Sequence, residues 1–264
     1  MAHQLVTMMA VWMITGSTSQ TAVQDPAQRG LAIAQEAERR YRGYVDSSAA
    51  LTMVLRNSRG QESRRTLRIE TLEVAGDGDR SLCLFDSPAD VKGTALLTYA
   101  HKTQDDDQWL YLPAVKRVKR IASSNRSGSF VGSEFAYEDL ASQEIEKYSY
   151  RYLRDEAVDG NDCFVLSRVP VDPKTSGYSR QEIWIDQAEY RTLKVEYFGR
   201  NGSLLKTLTA SAYLKLGDRF WRPTRMTMVN HQTDKSTDLI WSELRLGTHL
   251  PAADFLKENL ERAR

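Results

Sequence analysis

Hydrophobic and polar positions follow two different periods along the chain. Between residues 27 and 44, apolar side chains recur mostly at i, i+3 and i+4. This spacing is typical of an amphipathic helix that buries one face. After this segment the period changes to two. Residues 49–56 and 67–72 alternate on either side of a turn at Asn57-Ser58-Arg59-Gly60, which predicts a β-hairpin.

Strand-like alternation recurs over most of the remaining chain. The runs lie near residues 81–85, 95–99, 108–112, 118–122, 145–153, 163–171, 182–186, 192–198, 204–214, 220–230 and 238–244. Turn sequences such as Asp77-Gly78-Asp79 and Arg200-Asn201-Gly202 separate several of them. Short helical patches are predicted at residues 133–141 and 252–264. Because no long helical segment separates successive strands, a parallel α/β sheet is disfavoured.

These elements predict a mainly β (α+β) fold built on one curled antiparallel sheet. The alternating runs suggest about ten to eleven strands, enough for the sheet to curl into a barrel or a half-barrel. The concave face of such a sheet is filled by side chains, covered by helices or left as a cavity. We expect a single domain over residues 27–264.

The N-terminus is similar to an export signal. Residues 5–14 form an uncharged apolar run, and small and polar residues follow it up to Ala22. The run is too short to span a hydrocarbon core of ~30 Å, but it has the length of the apolar region of a signal peptide. Residues 1–4 contain no Lys or Arg, although such a signal normally begins with positive charge. We predict a signal peptide over residues 1–22; a cytosolic N-terminal strand is the alternative.

Composition and charge narrow the classes of function. The chain is 41 % hydrophobic and 27 % charged, which is typical of a globular protein and excludes disorder and a multi-span membrane protein. The net charge is only +1, because 36 Lys and Arg oppose 35 Asp and Glu. The protein therefore has no overall field that would hold a nucleic acid. Any charged partner must contact a local patch.

Sequence motifs for catalysis and for metal or nucleotide binding do not occur. Phe130 stands at the centre of the pentapeptide 128–132, where a nucleophile elbow requires Ser. The four histidines are isolated, and Asp105-Asp106-Asp107 lacks the Gly and Glu of a calcium loop. We therefore predict no enzyme activity, no catalytic residues, no metal and no cofactor. A lipid hydrolase that uses residues 105–107 is the weakest alternative.

The two cysteines leave two interpretations open. Cys83 and Cys163 would form one disulfide bridge in an oxidising compartment, or they are small buried core residues. The sequence does not supply the distance between them, which decides whether a bridge can form. No CxxC pair occurs, so a redox motif is not indicated.

Four cations occupy five consecutive positions in the middle of the chain: Lys116, Arg117, Lys119 and Arg120. Charges of this kind on an edge strand prevent strands of different molecules from pairing. Lys and Arg also bind the phosphate groups of anionic lipids. We predict a patch for lipid headgroups or for an acidic partner, with the edge-strand interpretation as the alternative.

The segment around these cations resembles the signature of the LolA-like family of outer-membrane lipoprotein-sorting proteins. Its matching residues are Trp109, Tyr111, Leu112, Pro113, Ala114, Arg117, Arg120, Ser129, Phe130, Gly132, Ser133, Phe135, Tyr137, Glu138, Asp139 and Leu140. Further matches are residues 87–94, Tyr178, residues 184–186 and residues 202–206. Val131 and Glu134 depart from the Met and Asp that are common there. The resemblance spans roughly residues 32–260.

The resemblance implies an incomplete β-barrel of the LolA-like half-barrel type, with helices covering its opening, around an apolar cavity that holds acyl chains. It implies a periplasmic carrier that binds lipid or lipoprotein acyl chains and shuttles them between the inner and outer membranes. Contact with membranes would be transient, an inner-membrane exporter is a suggested partner, and no nucleic acid is involved. A lipid-sensing or adaptor protein that regulates a transporter or a signalling complex is the alternative.

Alternation within the strands nominates the residues that would line an acyl cavity. They are Leu51, Met53, Leu55, Leu67, Ile69, Leu110, Leu112, Ile183, Ile185, Met226 and Met228. Methionine is a favourable lining residue because its unbranched thioether adapts to irregular chains. The alternative is that most of these residues are ordinary core. Ser129, Phe130, Gly132 and Ser133 are predicted to form the hinge of a helical lid that begins near Ser133.

Overall fold

The computed structural model describes residues 24–263, so the predicted signal peptide at residues 1–22 lies outside the described residues. The first element is helix α1, Pro26–Tyr41, which confirms the helix predicted from the spacing of apolar residues. Asp25 caps it by accepting a hydrogen bond of 3.2 Å from the backbone N–H of Ala27, and proline occupies its first turn. Among the described residues, no helix is long and apolar enough to cross a bilayer.

All strands of the described residues belong to one antiparallel sheet of 13 strands. The strands are β1 (Asp46–Arg56), β2 (Glu62–Leu72), β3 (Arg80–Ser87), β4 (Ala95–Tyr99), β5 (Asp107–Leu112), β6 (Arg117–Arg120), β7 (Tyr148–Val158), β8 (Asn161–Pro170), β9 (Tyr178–Asp186), β10 (Thr192–Gly199), β11 (Leu204–Leu216), β12 (Phe220–Asn230) and β13 (Lys235–Leu246). Their spatial order is β6-β5-β4-β3-β2-β1-β13-β12-β11-β10-β9-β8-β7. Strands β6 and β7 stand at the two ends and do not pair, so the barrel stays incomplete.

The number of strands corrects the sequence-based expectation of about ten to eleven. Every alternating run forms a strand of its own, including the four-residue strand β6 at the edge. The predicted hairpin is confirmed: β1 pairs with β2 in a register that places Leu51 opposite Leu67. The sheet is thus larger than expected but has the predicted antiparallel character.

Neither of the two predicted helical patches is an α-helix. Residues 133–141 contain only a short 3-10 turn at Tyr137–Leu140, and the C-terminal patch contains the 3-10 segments Ala252–Phe255 and Lys257–Arg262. In the first patch the Asp139 carboxylate accepts a hydrogen bond from the backbone N–H of Ala136, as at the start of a helix, but only one 3-10 turn follows. Within the described residues, α1 is therefore the one α-helix that covers the half-barrel.

The hydrophobic core lies mainly inside the curled sheet. Its largest cluster joins residues of α1, such as Ile33, to inward-facing residues from both halves of the sheet, such as Leu96 and Ile183. A second cluster lies on the opposite face of β3, β4 and β5, where the C-terminal residues Phe255 and Leu260 cover it. Most of the buried apolar side chains therefore lie on the concave side of the sheet.

Both cysteines carry free, buried thiols. Cys83 belongs to the cluster inside the sheet, whereas Cys163 packs with Val165 and Trp184 in a separate cluster. Burial raises the pKa of the Cys83 thiol to about 12 and is the main cause that raises that of Cys163 to about 11. The structure therefore matches the interpretation of two core residues rather than a bridge.

Candidate functional site

An open cavity of about 770 Å³ lies between α1, the inner face of the sheet and residues 129–145, which we name the plug segment. This volume falls within the ~300–1,000 Å³ that small-molecule sites usually have. Most of its wall is apolar. The apolar lining residues are Ala34, Ala37, Ala49, Ile69, Phe135, Leu140, Ala141, Ile145, Ile183, Ile185, Val195, Leu208, Ala210, Trp221, Pro223, Met226, Trp241 and Leu244.

Four of the nominated acyl-binding residues line this cavity: Ile69, Ile183, Ile185 and Met226. The others lie in the same core cluster but outside the cavity wall: Leu51, Met53, Leu55, Leu67, Leu110, Leu112 and Met228. Alternation identifies the inward face of a strand but does not show how deeply each position is covered. Only some of the inward-facing residues therefore line the cavity. The role of each residue in ligand binding stays a prediction.

A buried ion pair fastens the plug segment to the sheet. Asp139 of the plug segment accepts a hydrogen bond of 3.0 Å from Lys206 Nζ on β11, and the two side chains are only 4 % and 7 % exposed. The hydroxyl of Tyr178 donates to the same carboxylate at 2.9 Å. Lys206 Nζ also donates to the backbone oxygen of Glu134 at 3.0 Å. These contacts hold the middle of the plug segment against β9 and β11.

Further contacts give the signature motif a structural role. The carboxylate of Glu138 accepts hydrogen bonds from the Ser176 hydroxyl at 2.7 Å and from the Gly177 N–H at 2.9 Å. Gln108 Nε2 donates to the backbone oxygen of Tyr137 at 2.9 Å. Burial raises the pKa of Glu138, which is consistent with its position behind the cavity wall. The motif residues thus position the plug segment, which in turn supplies Phe135 and Leu140 to the wall.

The four nominated hinge residues lie at the start of the plug segment. Phe130 and Ser133 are 1 % and 2 % exposed, and the Phe130 ring packs 5.6 Å from the ring of Phe85. The backbone N–H of Phe130 donates to the oxygen of Phe135 at 2.8 Å. Arg65 on β2 donates to the oxygen of Val131. A hinge at Ser129, Phe130, Gly132 and Ser133 stays a prediction, and no α-helix follows it.

The predicted basic patch lies at the edge of the sheet and shares no residue with the cavity wall. Lys116 occupies the turn before β6, while Arg117, Lys119 and Arg120 lie on β6 itself, and all four are exposed. Arg120 pairs with Asp107 on the neighbouring strand. The structure therefore separates the nominated headgroup patch from the apolar cavity.

Sequence reasoning missed the arginines of the cavity. They are Arg39, Arg40, Arg42, Arg168, Arg191, Arg219 and Arg222. A search for alternating hydrophobic residues leaves out every charged position. Arg168 nevertheless lies two positions after Leu166 on β8, so both side chains are on the inward face of the strand. A charged residue at an inward-facing position of a strand is the signal that would have found it.

Arg42 joins three acidic groups at the C-terminal end of α1. Its Nη1 lies 3.1 Å from Asp79 Oδ1, and its Nη2 lies 2.7 Å from Glu144 Oε2. Its Nε donates to Glu38 at 2.9 Å. The side chains of Asp79 and Glu144 are 6 % and 0 % exposed, so the Arg42 guanidinium compensates two buried carboxylates beside the cavity.

The proton of Asp79 makes the stability of this network depend on pH. Burial raises the pKa of Asp79 to about 6, although Arg42 acts in the opposite direction. Because the folded state holds the proton more tightly than the unfolded chain, Asp79 adds stability below about pH 4, and this is lost as the pH rises through about 6. We expect urea denaturation of Asp79→Asn to lack this fall in the free energy of unfolding. Parallel pH profiles for the wild type and Asp79→Asn would contradict the assignment.

Among residues 24–263, no group of three or more His, Cys, Asp or Glu side chains is placed to hold a metal ion. The cavity wall carries seven arginines and five acidic residues, Glu38, Asp79, Asp139, Glu189 and Asp218, together with tyrosine, serine, threonine and glutamine side chains. Its guanidinium and phenol groups can bind anions and hydrogen-bond acceptors. Chemically, the cavity combines an apolar interior with a cationic part of its wall. This combination suits an amphiphile.

Comparison with known proteins identifies similar chains and structures. A family model described as "uncharacterized protein" matches residues 77–262. A domain from Vibrio parahaemolyticus, named as an outer membrane lipoprotein-sorting protein, is 53 % identical with a TM-score of 0.87, covering 89 % of this chain and 100 % of that chain. A DUF1329 family protein from Desulfovibrio piger is 31 % identical with a TM-score of 0.85, covering 89 % of this chain and 99 % of that chain.

A more distant structure has the same fold. A LolA superfamily protein from Nitrosomonas europaea is 22 % identical with a TM-score of 0.69, and the similarity covers 88 % of this chain and 98 % of that chain. The comparison with curated proteins gives no match. The similar structures therefore share an open half-barrel with this protein over nearly the whole described region.

Proposed function

This chain belongs to the LolA-like family of outer-membrane lipoprotein-sorting proteins, and on that premise we propose that it carries acyl chains in its cavity. The cargo is a lipid or the acyl chains of a lipoprotein, and the protein moves it between the inner and outer membranes. An inner-membrane exporter is the proposed donor or acceptor. The observation that carries the proposal is the open, largely apolar cavity inside the half-barrel.

The energetics of transfer support an acyl cargo. Each methylene group withdrawn from water contributes roughly 0.8 kcal/mol. A chain of about sixteen carbons therefore contributes on the order of 10 kcal/mol before the cost of ordering it. Burial of part of a chain already gives useful affinity, and partial burial also permits release. The proposed carrier needs no chemical step.

The proposed place of work is the periplasm. This proposal follows from the predicted signal peptide at residues 1–22 and from the family. All strands between residues 46 and 246 belong to one sheet, which supports the proposal that residues 27–264 act as one carrier domain.

A substitution that fills the cavity tests the proposed function. Ala210 on β11 lines the cavity and is 7 % exposed, whereas its neighbour Ser211 is exposed on the other side of the strand. We expect Ala210→Phe to weaken the binding of a pyrene-labelled long-chain alcohol by roughly tenfold or more, because the ring occupies space that the chain needs. The measurement is a fluorescence titration of delipidated protein.

Ser211→Phe is the matched control, since it adds the same side chain outside the cavity. It should bind the labelled alcohol as the wild type does. Saturable binding that is equal in all three proteins would place the probe elsewhere. Absence of saturable binding to the wild type would overturn the proposal.

We propose that the basic patch on β6 makes the transient contact with membranes. Lys116, Arg117 and Lys119 are exposed cations at a free sheet edge, and each such charge near an anionic bilayer contributes about 1 kcal/mol. Reversal of Lys116, Arg117, Lys119 and Arg120 to Glu should abolish binding to anionic vesicles in a flotation assay. Binding of the labelled alcohol should persist. Unchanged vesicle binding would remove this role from the patch.

A further inference from the structure

A buried arginine without a carboxylate partner lines the inner wall of the cavity. Arg168 on β8 is 9 % exposed. Its Nε donates to Gln181 Oε1 at 2.9 Å, and its Nη2 donates to the same oxygen. Its Cζ lies 4.6 Å from the centroid of the Tyr148 ring. Both partners are neutral, and no carboxylate within residues 24–263 forms a salt bridge with this guanidinium.

The isolation of Arg168 is unusual because burial of a charge is costly unless an opposite charge accompanies it. Lys206 satisfies this rule with Asp139 at 3.0 Å, and Arg126 does so with Asp106 at 3.3 Å. Arg168 has its open side towards the cavity instead. The anion that would compensate it therefore belongs in the cavity.

Arg222 shows how a buried cavity arginine is otherwise compensated. It is 6 % exposed and also lacks a carboxylate partner among the described residues. However, its Nη2 donates at 2.9 Å to the backbone oxygen of Tyr41, the last residue of α1. The C-terminal end of a helix carries partial negative charge, so α1 itself stabilises this cation. No helix end plays this part for Arg168.

Two tyrosines beside Arg168 add hydroxyl groups to the same wall. Tyr150 and Tyr197 line the cavity and are 7 % and 5 % exposed. Burial raises the pKa of Tyr150, and the nearby guanidinium of Arg168 opposes that rise. Burial raises the pKa of Tyr197, and the nearby guanidinium of Arg168 opposes that rise. Within the described residues the Tyr197 hydroxyl has no hydrogen-bond partner.

The carboxylates that act on these tyrosines are engaged by other groups. Near Tyr150, Glu38 pairs with Arg42, and Glu146 lies 4.0 Å from Lys102. Asp139 is paired with Lys206, and Glu138 accepts hydrogen bonds from Ser176 and Gly177. Arg168 therefore has donor groups available for an incoming anion. A guanidinium binds a carboxylate or a phosphate through two parallel hydrogen bonds, which a neutral amide does not match in strength.

We propose that Arg168 anchors the acid group of an anionic amphiphile whose tail occupies the apolar part of the cavity. This inference rests on the proposed acyl-binding function and narrows its cargo to acyl compounds with a carboxylate or phosphate that enters the cavity. Tyr197 supplies a further donor to the same group. The carrier then selects its cargo by the acid group as well as by the chain.

Three competitors of equal chain length test the anchor: palmitate, hexadecyl phosphate and hexadecanol. Each displaces the pyrene-labelled long-chain alcohol from the wild type, Arg168→Gln and the control Arg180→Gln, which removes an arginine of β9 that lies outside the cavity wall and is 37 % exposed. We expect the wild type and Arg180→Gln to bind one or both anions roughly 10- to 100-fold more tightly than hexadecanol, the range of a charge-assisted hydrogen bond. Arg168→Gln should lose this preference and keep its affinity for hexadecanol.

Gln181→Glu is a second variant that does not remove the arginine. Its new carboxylate would lie beside Arg168 and supply the missing negative charge within the protein. We expect Gln181→Glu to lose the preference for anions as Arg168→Gln does. Thermal unfolding of both variants shows whether they remain folded.

The outcomes separate the anchor from the proposed function. A preference for palmitate supports a carboxylate cargo, and a preference for hexadecyl phosphate supports a lipid phosphate. The role of Arg168 as an anchor is overturned if the wild type binds all three competitors with equal affinity. It is also overturned if the preference for anions survives both Arg168→Gln and Gln181→Glu. Neither result contradicts the proposed acyl-binding function. Failure of all three to displace the probe from the wild type overturns the acyl-binding function together with the anchor.

Discussion

Replacement of Arg42 by Met is expected to lower the free energy of unfolding by about 3–5 kcal/mol. The side chains of Asp79 and Glu144 are buried, and Arg42 lies 3.1 Å and 2.7 Å from them. Without the guanidinium, two carboxylates of like charge would share a site that water barely reaches. Removal of one partner from a buried ion pair is costly because the other charge stays behind. Urea denaturation at neutral pH measures the loss.

Arg39→Met is the matched control for this prediction. Arg39 lies on the same helix and pairs with Glu36 at 2.7 Å, but its side chain is 69 % exposed. Exposed ion pairs contribute little to stability. We expect Arg39→Met to unfold nearly as the wild type does. Equal destabilisation by the two substitutions would contradict the special role of Arg42.

Replacement of Lys206 by Met is expected to cost a similar amount, about 3–5 kcal/mol, by releasing the plug segment. The substitution removes the cation that lies 3.0 Å from both Asp139 Oδ2 and the backbone oxygen of Glu134. The carboxylate of Asp139 then stays buried. Its remaining hydrogen-bond donors are the hydroxyl of Tyr178 and the backbone N–H of Ala136. Because the plug segment forms part of the wall, affinity for the labelled alcohol should fall as well.

A double substitution distinguishes loss of the charge pair from loss of packing. Lys206→Met combined with Asp139→Leu removes both charges and leaves apolar groups in their place. Such a replacement is often nearly neutral, so the double variant should recover much of the stability lost by Lys206→Met. If the double variant is instead less stable by the sum of the single losses, the two residues act independently, and the proposed attachment of the plug segment is wrong.

Much of the fold follows from local alternation because neighbouring strands along the chain pair with each other. Strands β1 to β6 form one such series, and β7 to β13 form another. The pairing of β1 with β13, which places Leu51 opposite Trp241, joins the two series. That contact links residues far apart in sequence, so periodicity alone could not predict where the sheet curls.

The sequence pattern wrongly predicts a helix over residues 133–141 of the plug segment, because the contacts that stabilise this stretch are not local. Glu138 is bound by Ser176 and Gly177, and Asp139 is bound by Lys206. A pattern within residues 133–141 contains no information about these partners. The tertiary contacts outweigh the weak helical preference of a short segment.

Hydrophobic alternation predicts the inward face that contains the cavity wall, but it does not select the proposed polar anchor, Arg168. Ile183 and Ile185 follow the alternating pattern and also line the cavity. Met228 follows the same pattern, but it is fully buried in the core and does not line the cavity. Arg168 was passed over because a charged residue interrupts a hydrophobic pattern. Sites that break a local rule are where function is often found.

The most direct test of the acyl-binding account is mass spectrometry of lipids extracted from the purified protein. Wild type, Ala210→Phe and Ser211→Phe would be expressed in the same bacterial host and extracted under identical conditions. The account predicts acyl-chain compounds in near-stoichiometric amounts with the wild type and Ser211→Phe, and a large depletion with Ala210→Phe. Lipid-free wild-type protein, or equal amounts of lipid in all three, would contradict it.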